Sequence, residues 1–206
     1  MKNIKAILFD LGNVLVKYDL GILEKKCAEY CKGREKKFVE YVAASDNMRK
    51  YMKGKLTSSQ FYNMTRRIFR MKIKYSEFCG MWNSIFYPYP EMENAVRVIR
   101  SKYPELKMVI VSDTNEIHYE FLRKKYPFLD LMDAHVVSHE VGRIKPHSAM
   151  FTTALRVSGS LAGETFYTDD RGELIAAARV MGIHAFQFTD HINLEENLAK
   201  FGIIIK

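Results

Sequence analysis

Ala6-Ile7-Leu8-Phe9-Asp10-Leu11-Gly12-Asn13-Val14-Leu15 is the stretch on which the fold turns. Its first four residues are apolar without interruption, and the run stops at an acid. A strand covered on both faces reads this way, because crossover helices over a parallel sheet leave neither face wet. The opening Met1-Lys-Asn-Ile-Lys has the basic character of a secretion signal, but Asp10 cuts the apolar run and no small-residue cleavage site follows. Nowhere is there a run of about 18 apolar residues, so no spanning helix is expected, and a cytoplasmic location is.

Downstream the rhythm changes. From Asp19 to Lys74 apolar residues recur at three- and four-residue steps, as in Leu20, Leu23, Cys27 and Tyr30/Cys31, which predicts helices. Thr57 or Ser58 suits the N-cap of a helix over 58–71, and Ser76 that of another ending at Phe86. No strand pattern interrupts this region. Tyr87-Pro-Tyr-Pro90 then forces extended backbone and marks a linker. Beyond it the spacing predicts helix 91–102, strand 108–111, a helix from Thr114 or Asn115, and strand 134–137. A helix opened by Pro146 follows to residue 157, then strand 165–167, helix 171–181 and strand 185–188. That alternation predicts an α/β fold, a doubly wound, Rossmann-like parallel sheet with a helical insert after its first strand. The expected division is 1–16 plus 91–206 for the α/β core and 17–90 for the helical part.

With 206 residues, 48% of them apolar, the chain has enough for one ample core and is not a disordered polymer. The net charge of +8 is concentrated in one place: residues 17–90 hold 16 Lys and Arg against 7 Asp and Glu, the remainder 16 against 17. A basic segment of this kind steers anions toward a cleft, binds nucleic acid nonspecifically, or is simply a set of solvated helix faces. Cys27, Cys31 and Cys79 are too few and too odd for a disulfide framework and suit a reducing compartment. Cys27 and Cys31 lie on one helical face without partners at zinc spacing, and are read as semi-buried packing residues. The six histidines share no metal-ligand spacing.

In an open α/β sheet, ligands bind beyond the carboxyl ends of the strands. Asp10 follows the first strand, Ser112 the second, and Asp169 with Asp170 the strand over 165–167, while Lys145 stands just ahead of Pro146. Taken singly, each has a plain role as a turn residue, an N-cap or a solvated charge. Together they suit phosphoryl transfer. Carboxylates hold a hard divalent cation, one carboxylate can act as nucleophile, and a hydroxyl and an ammonium hold phosphate oxygens.

Phe9-Asp-Leu-Gly-Asn-Val-Leu15, Val109-Ile-Val-Ser112, Arg143-Ile-Lys-Pro146 and Tyr167-Thr-Asp-Asp170, in that order, resemble the four motifs of the haloacid dehalogenase superfamily. The resemblance covers essentially the whole chain, with 17–90 in the place of that superfamily's helical cap. It implies a Mg2+-dependent phosphatase in which Asp10 attacks phosphorus and Ser112 and Lys145 hold the transferring group. Asp169, Asp170 or both bind the metal together with Asp10 and the backbone carbonyl of Gly12. Gly12, Asn13 and Asp113 then fall in the phosphate-binding loops, with backbone amides near Asp113–Asn115 directed at the anion. Glu173 matches a position where relatives place an acid or amide near the metal, and is equally a first-turn helix carboxylate. Leu11-Gly-Asn-Val14, Trp82-Asn-Ser-Ile-Phe86, Pro88-Tyr-Pro-Glu-Met92 and Ser112-Asp-Thr-Asn115 further resemble bacterial phosphatases of sugar phosphates such as glucose 1-phosphate. The implied partner is a small phosphorylated metabolite, with no membrane and no specific nucleic acid, and the chain a monomer or homodimer.

One departure stands out. Most phosphatases of the superfamily carry a second aspartate where this chain has Gly12, so the usual general acid/base, typically worth about 10²–10⁴-fold, is missing. The expectations therefore include two alternatives, a catalytically impaired protein that binds phosphate or a partner, and a metal-independent dehalogenase. Against the latter stands the Asp169-Asp170 pair, which has no purpose beside an anionic nucleophile without a cation. Trp82 and the aromatics at 86–89 are read as packing, and Arg49-Lys-Tyr-Met-Lys53 as either a substrate contact or a wet helix.

Overall fold

The computed structural model describes residues 3–205; Met1 and Lys2, the basic start weighed above, and Lys206 lie outside them. In chain order the elements are β1 (Ala6–Phe9), β2 (Lys17–Tyr18), α1 (Leu20–Cys31), α2 (Glu35–Ala44), α3 (Asp46–Met52), α4 (Ser58–Phe69), α5 (Tyr75–Asn83) and β3 (Phe86–Tyr87). There follow α6 (Pro90–Lys102), β4 (Lys107–Ser112), α7 (Glu116–Lys125), β5 (Ala134–Val137), α8 (Ser138–Val141), α9 (Ser148–Ser158), β6 (Thr165–Asp169), α10 (Gly172–Val180), β7 (His184–Gln187) and α11 (His191–Ala199). Five strands form a parallel sheet in the order β5-β4-β1-β6-β7. The apolar run 6–9 thus becomes the central strand, and the chain winds outward from it in both directions.

Period-two alternation divides the core between the two faces of the sheet. Ile7, Phe9, Met108 and Ile110 pack with Met92, Val96 and Ile99 of α6, Leu122 of α7 and Leu194 and Leu198 of α11. Leu8, Val109, Val111 and Tyr167 face the other way, onto Met150, Phe151 and Ala154 of α9 and Ile175 and Ala178 of α10. Every residue of β1 is buried. Truncating Phe9 or Ile110 to Ala would cost about 2–5 kcal/mol. Helix α6 shows why these segments are helical. Pro90 sits at its start, Glu91 and Glu93 in its first turn, Arg100 in its last, and Met92, Ala95, Val96 and Ile99 form its buried stripe.

Helices α1–α5 pack around a separate aromatic cluster that includes Phe38, Phe61, Phe78 and Trp82. Thr57 and Gln60 close a capping box at the start of α4, and Arg70 ends it in the left-handed conformation. Helix α4 therefore stops at Phe69, ahead of the expected residue 71. Helix α5 starts at Tyr75, where the Glu77 carboxylate accepts from the Lys74 amide, so Ser76 is not its cap. Nor does α5 reach Phe86. Phe86–Tyr87 instead pairs antiparallel with Lys17–Tyr18 as a two-stranded ribbon joining the helices to the sheet. Two-residue strands carry too little alternation to be read from sequence. Pro146 lies outside α9, because the His147 side chain accepts from the Ala149 amide and the helix begins at Ser148. Helices α8 and α11 were not foreseen.

Cys27 and Cys31 are fully buried rather than semi-buried. Burial pushes the Cys27 thiol up to about 12, which makes it inert packing. Among the described residues no helix is long and apolar enough to cross a membrane.

Candidate active site

The sheet brings the acids together by register. β1 and β6 pair with Phe9 opposite Thr168, so their next residues, Asp10 and Asp169, emerge side by side. The Asp10 amide continues the ladder to the Thr168 carbonyl at 3.0 Å. Lys145 reaches in from the loop before α9. Its Nζ donates to Asp10 Oδ1 and to Asp169 Oδ2, both at 2.6 Å, and to the Val111 carbonyl at 3.0 Å. All three ammonium protons have acceptors, as a lysine only 3% exposed requires. Tyr167, two residues before Asp169 on the same strand face, donates its hydroxyl to Asp169 Oδ2, and the Arg171 amide donates to Oδ1 at 3.0 Å.

Burial sets the electrostatics. It pushes the Asp10 carboxyl up to about 7, with Lys145 pulling down and Asp169 pushing up. The same desolvation would lower Lys145, but its anionic neighbours, Asp10 first, hold it well above the usual lysine range. Asp170 is half-buried and its carboxyl is also raised by burial; its Oδ2 accepts from Asn13 Nδ2 at 3.3 Å. Asn13 sits at φ 58°, a left-handed conformation that asparagine tolerates, and its Oδ1 accepts from the Tyr18 amide. Carboxylate oxygens of Asp10, Asp169 and Asp170 lie within 4.8 Å of one another. Three carboxylates against one ammonium leave an excess of negative charge in a dehydrated place. A divalent cation with hard oxygen ligands matches both that charge and that donor set.

Ser112 ends β4 and, with Gly12, Asp113, Thr114 and Asn115, lines one side of a cavity of about 310 Å³. Asn115 caps α7 by accepting from the His118 amide, while its Nδ2 is buried without a partner. Asp113 braces the opposite loop, its Oδ1 accepting the Lys145 amide at 2.8 Å, and Arg171 lies 3.8 Å from its other oxygen. Ser138 ties the helical segment to the sheet. Its Oγ accepts from the Thr114 amide at 2.9 Å and donates to the Met52 carbonyl at 2.6 Å.

A family model for haloacid dehalogenase-like hydrolases matches residues 4–182. The chain belongs to that family. A family enzyme from Bacteroides thetaiotaomicron, solved as a complex with magnesium and inorganic phosphate, superposes with a TM-score of 0.79 at 24% identity, over 91% of this chain and 95% of that one. A predicted hydrolase of the family from Porphyromonas gingivalis gives 0.82 at 18% identity, over 96% and 97%. L-2-haloacid dehalogenase from Xanthobacter autotrophicus gives 0.64 at 18% identity, over 96% and 83%. These likenesses establish the haloacid dehalogenase fold.

Within that fold, Asp10, Lys145 and Asp169 form one hydrogen-bonded group and Asn13 with Asp170 a second beside it, with Ser112, Gly12 and Asp113 in the adjoining wall. Glu173 stays outside: its exposed carboxylate pairs with Arg171 at 2.9 Å. Tyr167, Arg171, Tyr18 and His118 were missed. Tyr167 was legible, since residues two apart on a strand share a face. The others were not. A Cβ on Gly12 would lie 2.9 Å from Cε1 of Tyr18, so the tyrosine ring covers the space of a side chain at position 12. His118 is buried, stacked on Trp82 with ring centroids 4.9 Å apart, and its Nδ1 donates to Asn83 Oδ1 at 2.9 Å. Burial lowers its pKa to about 3, so it stays neutral. Trp82 is both core and cavity wall.

Proposed function

We propose that this hydrolase cleaves phosphomonoesters of a small metabolite with Mg2+ bound by Asp10, Asp169 and Asp170, and with residues 17–90 as a cap over the α/β core. The supporting observation is the cluster itself, three carboxylates within 4.8 Å of one another, two of which, Asp10 and Asp169, are bridged by the buried Lys145. Asp10 attacks phosphorus and the alcohol leaves with its oxygen, giving an aspartyl-phosphate that water then hydrolyses. Lys145 pulls the Asp10 carboxyl back toward its ionised form and aims it, and Asp113 fixes the loop that delivers Lys145. The Ser112 hydroxyl and the amides before α7, in the wall of the cavity, would hold the phosphoryl group. When bound, the cation neutralises the charge that would set nucleophile and phosphate against each other.

Asp170 argues against carbon–halogen hydrolysis, because a metal-free site gains nothing from a further carboxylate near an anionic nucleophile. Sugar phosphates, the class the resemblance implies, meet a helical side of the cavity that is apolar apart from Tyr18 and Trp82. The test is phosphate release from a panel of phosphate esters, with Mg2+ and with chelator, alongside Asp10→Asn. Mg2+-dependent release, lowered by at least about 10⁴-fold in the variant, supports the reading. No release from folded wild-type protein that still binds Mg2+ sinks it in favour of a non-catalytic role.

A further inference from the structure

The cavity beside Asp10 has two unlike walls. The α/β side presents Ser112, Asp113, Thr114, Asn115 and His118, beside the apolar Leu11 and Leu122. The helical side presents Leu23, Val42, Met48, Met52, Trp82 and Ile85, and everything else that residues 17–90 contribute is apolar too, apart from Tyr18. None of the 16 lysines and arginines in that segment reaches the cavity. Trp82 lines the cavity, and its indole N–H is buried without a partner. His118 adds no charge, since burial keeps it neutral, and its Nδ1 proton is already given to Asn83.

Polar phosphate-side groups facing an apolar opposite wall describe a ligand with a charged head and an apolar body. Building on the phosphomonoesterase reading, we propose that the substrate is the phosphate ester of an apolar alcohol, a branched-alkyl, cycloalkyl or arylalkyl group, and not a sugar phosphate. About 310 Å³ corresponds to roughly ten water volumes. That holds a phosphoryl group and a compact alcohol of roughly five to ten heavy atoms. A hexose would bury several hydroxyls against methyl, methylene and thioether groups that neither donate nor accept hydrogen bonds. An apolar pocket discriminates against one added hydroxyl by about a hundredfold. The missing side chain at Gly12 fits the same picture, because the space of a side chain there is taken by the ring of Tyr18 and not by a carboxylate.

Cyclohexylmethyl phosphate and glucose 6-phosphate make the matched pair: both are esters of a primary alcohol on a six-membered ring, and only the second carries hydroxyls. Two readouts are taken. One is kcat/KM with Mg2+ in the wild-type protein, with acetyl phosphate as a small control that needs no contact with the apolar wall. The other is fluorescence of Trp82, the chain's single tryptophan, during titration of Asp10→Asn with each ester. The expected result is a kcat/KM ratio of at least about 10² in favour of cyclohexylmethyl phosphate and a fluorescence change at lower concentration of that ester. In the double variant Met48→Gln, Met52→Gln the ratio falls at least about tenfold. Because it is a ratio within one preparation, partial loss of folded protein cancels. Equal or better turnover and binding of glucose 6-phosphate overturns the proposal. Selective binding of cyclohexylmethyl phosphate without phosphate release from any compound, acetyl phosphate included, upholds the apolar ligand and overturns the phosphatase reading instead.

Discussion

The rim of the sheet and the helices above it solve opposite problems. At the rim, Asp10, Lys145 and Asp169 are buried ions, a costly arrangement that persists because each is bonded and oppositely charged groups touch. In α1–α5 the interior is aromatic, with Tyr51 and Phe61 stacked 4.5 Å apart and Phe38 edge-on to Phe69 at 5.2 Å. Every lysine and arginine of residues 17–90 is exposed or half-buried. Charge goes inside where bonds must be rearranged and outside where only shape and apolar contact are needed. The basic excess of the helical segment is therefore a solvated surface, and the cavity that meets the rim is neutral on that side.

The contrast can be broken hardest at Lys145. Lys145→Met leaves Asp10 and Asp169 buried without their cation, and urea denaturation without metal should show a loss of about 3–5 kcal/mol. Saturating Mg2+ recovers a part of it, about 2.7 kcal/mol at a hundredfold excess over Kd. An unchanged midpoint in the absence of metal would mean that the buried ion pairs are not what holds the rim.

Position 12 sharpens the comparison next. Gly12→Asp must displace the Tyr18 ring, which a Cβ would approach to 2.9 Å, whereas Tyr18→Ala opens that space. The double variant is expected to gain roughly 10²-fold in kcat on alkyl phosphates through a restored acid/base, with Gly12→Asp alone gaining less. Equal rates in the two would show that the ring imposes nothing.

His118 tests the apolar side through pH. Its folded pKa is depressed from 6.5 to about 3, so below pH 6.5 the unfolded chain takes up a proton that the folded chain does not. The His118 contribution to stability is complete above pH 6.5 and is lost as pH falls toward 3, at roughly 1.4 kcal/mol per pH unit. Wild-type protein and His118→Phe, unfolded in urea between pH 7 and 5, should differ by that slope. Parallel curves would place a protonatable histidine at the cavity.

The smallest effect is expected at the surface. Lys36→Glu with Lys37→Glu reverses exposed charges of α2, and kcat/KM at physiological salt should stay within about twofold. A drop of tenfold or more that disappears in high salt would restore a steering role to the basic segment.

Much of this was written locally. A short uninterrupted apolar run ending in an acid reads as a buried strand presenting a carboxylate at its end. Asp10, Ser112, Asp169 and Asp170 were therefore placed at one rim by alternation and order alone, and Tyr167 was within reach of the same reasoning. What the sequence did not disclose was set by partners distant along the chain. The Phe86–Tyr87 ribbon exists only through its pairing with Lys17–Tyr18, and the ring of Tyr18 over Gly12 follows from that pairing. The apolar wall is assembled from α1, α2, α3 and α5, each of which has a stripe of its own that reads simply as core. Periodicity reports that a residue is covered, because burial of apolar area is non-directional. Which residues face one another across a cavity is decided by packing, and that exists only in the folded molecule.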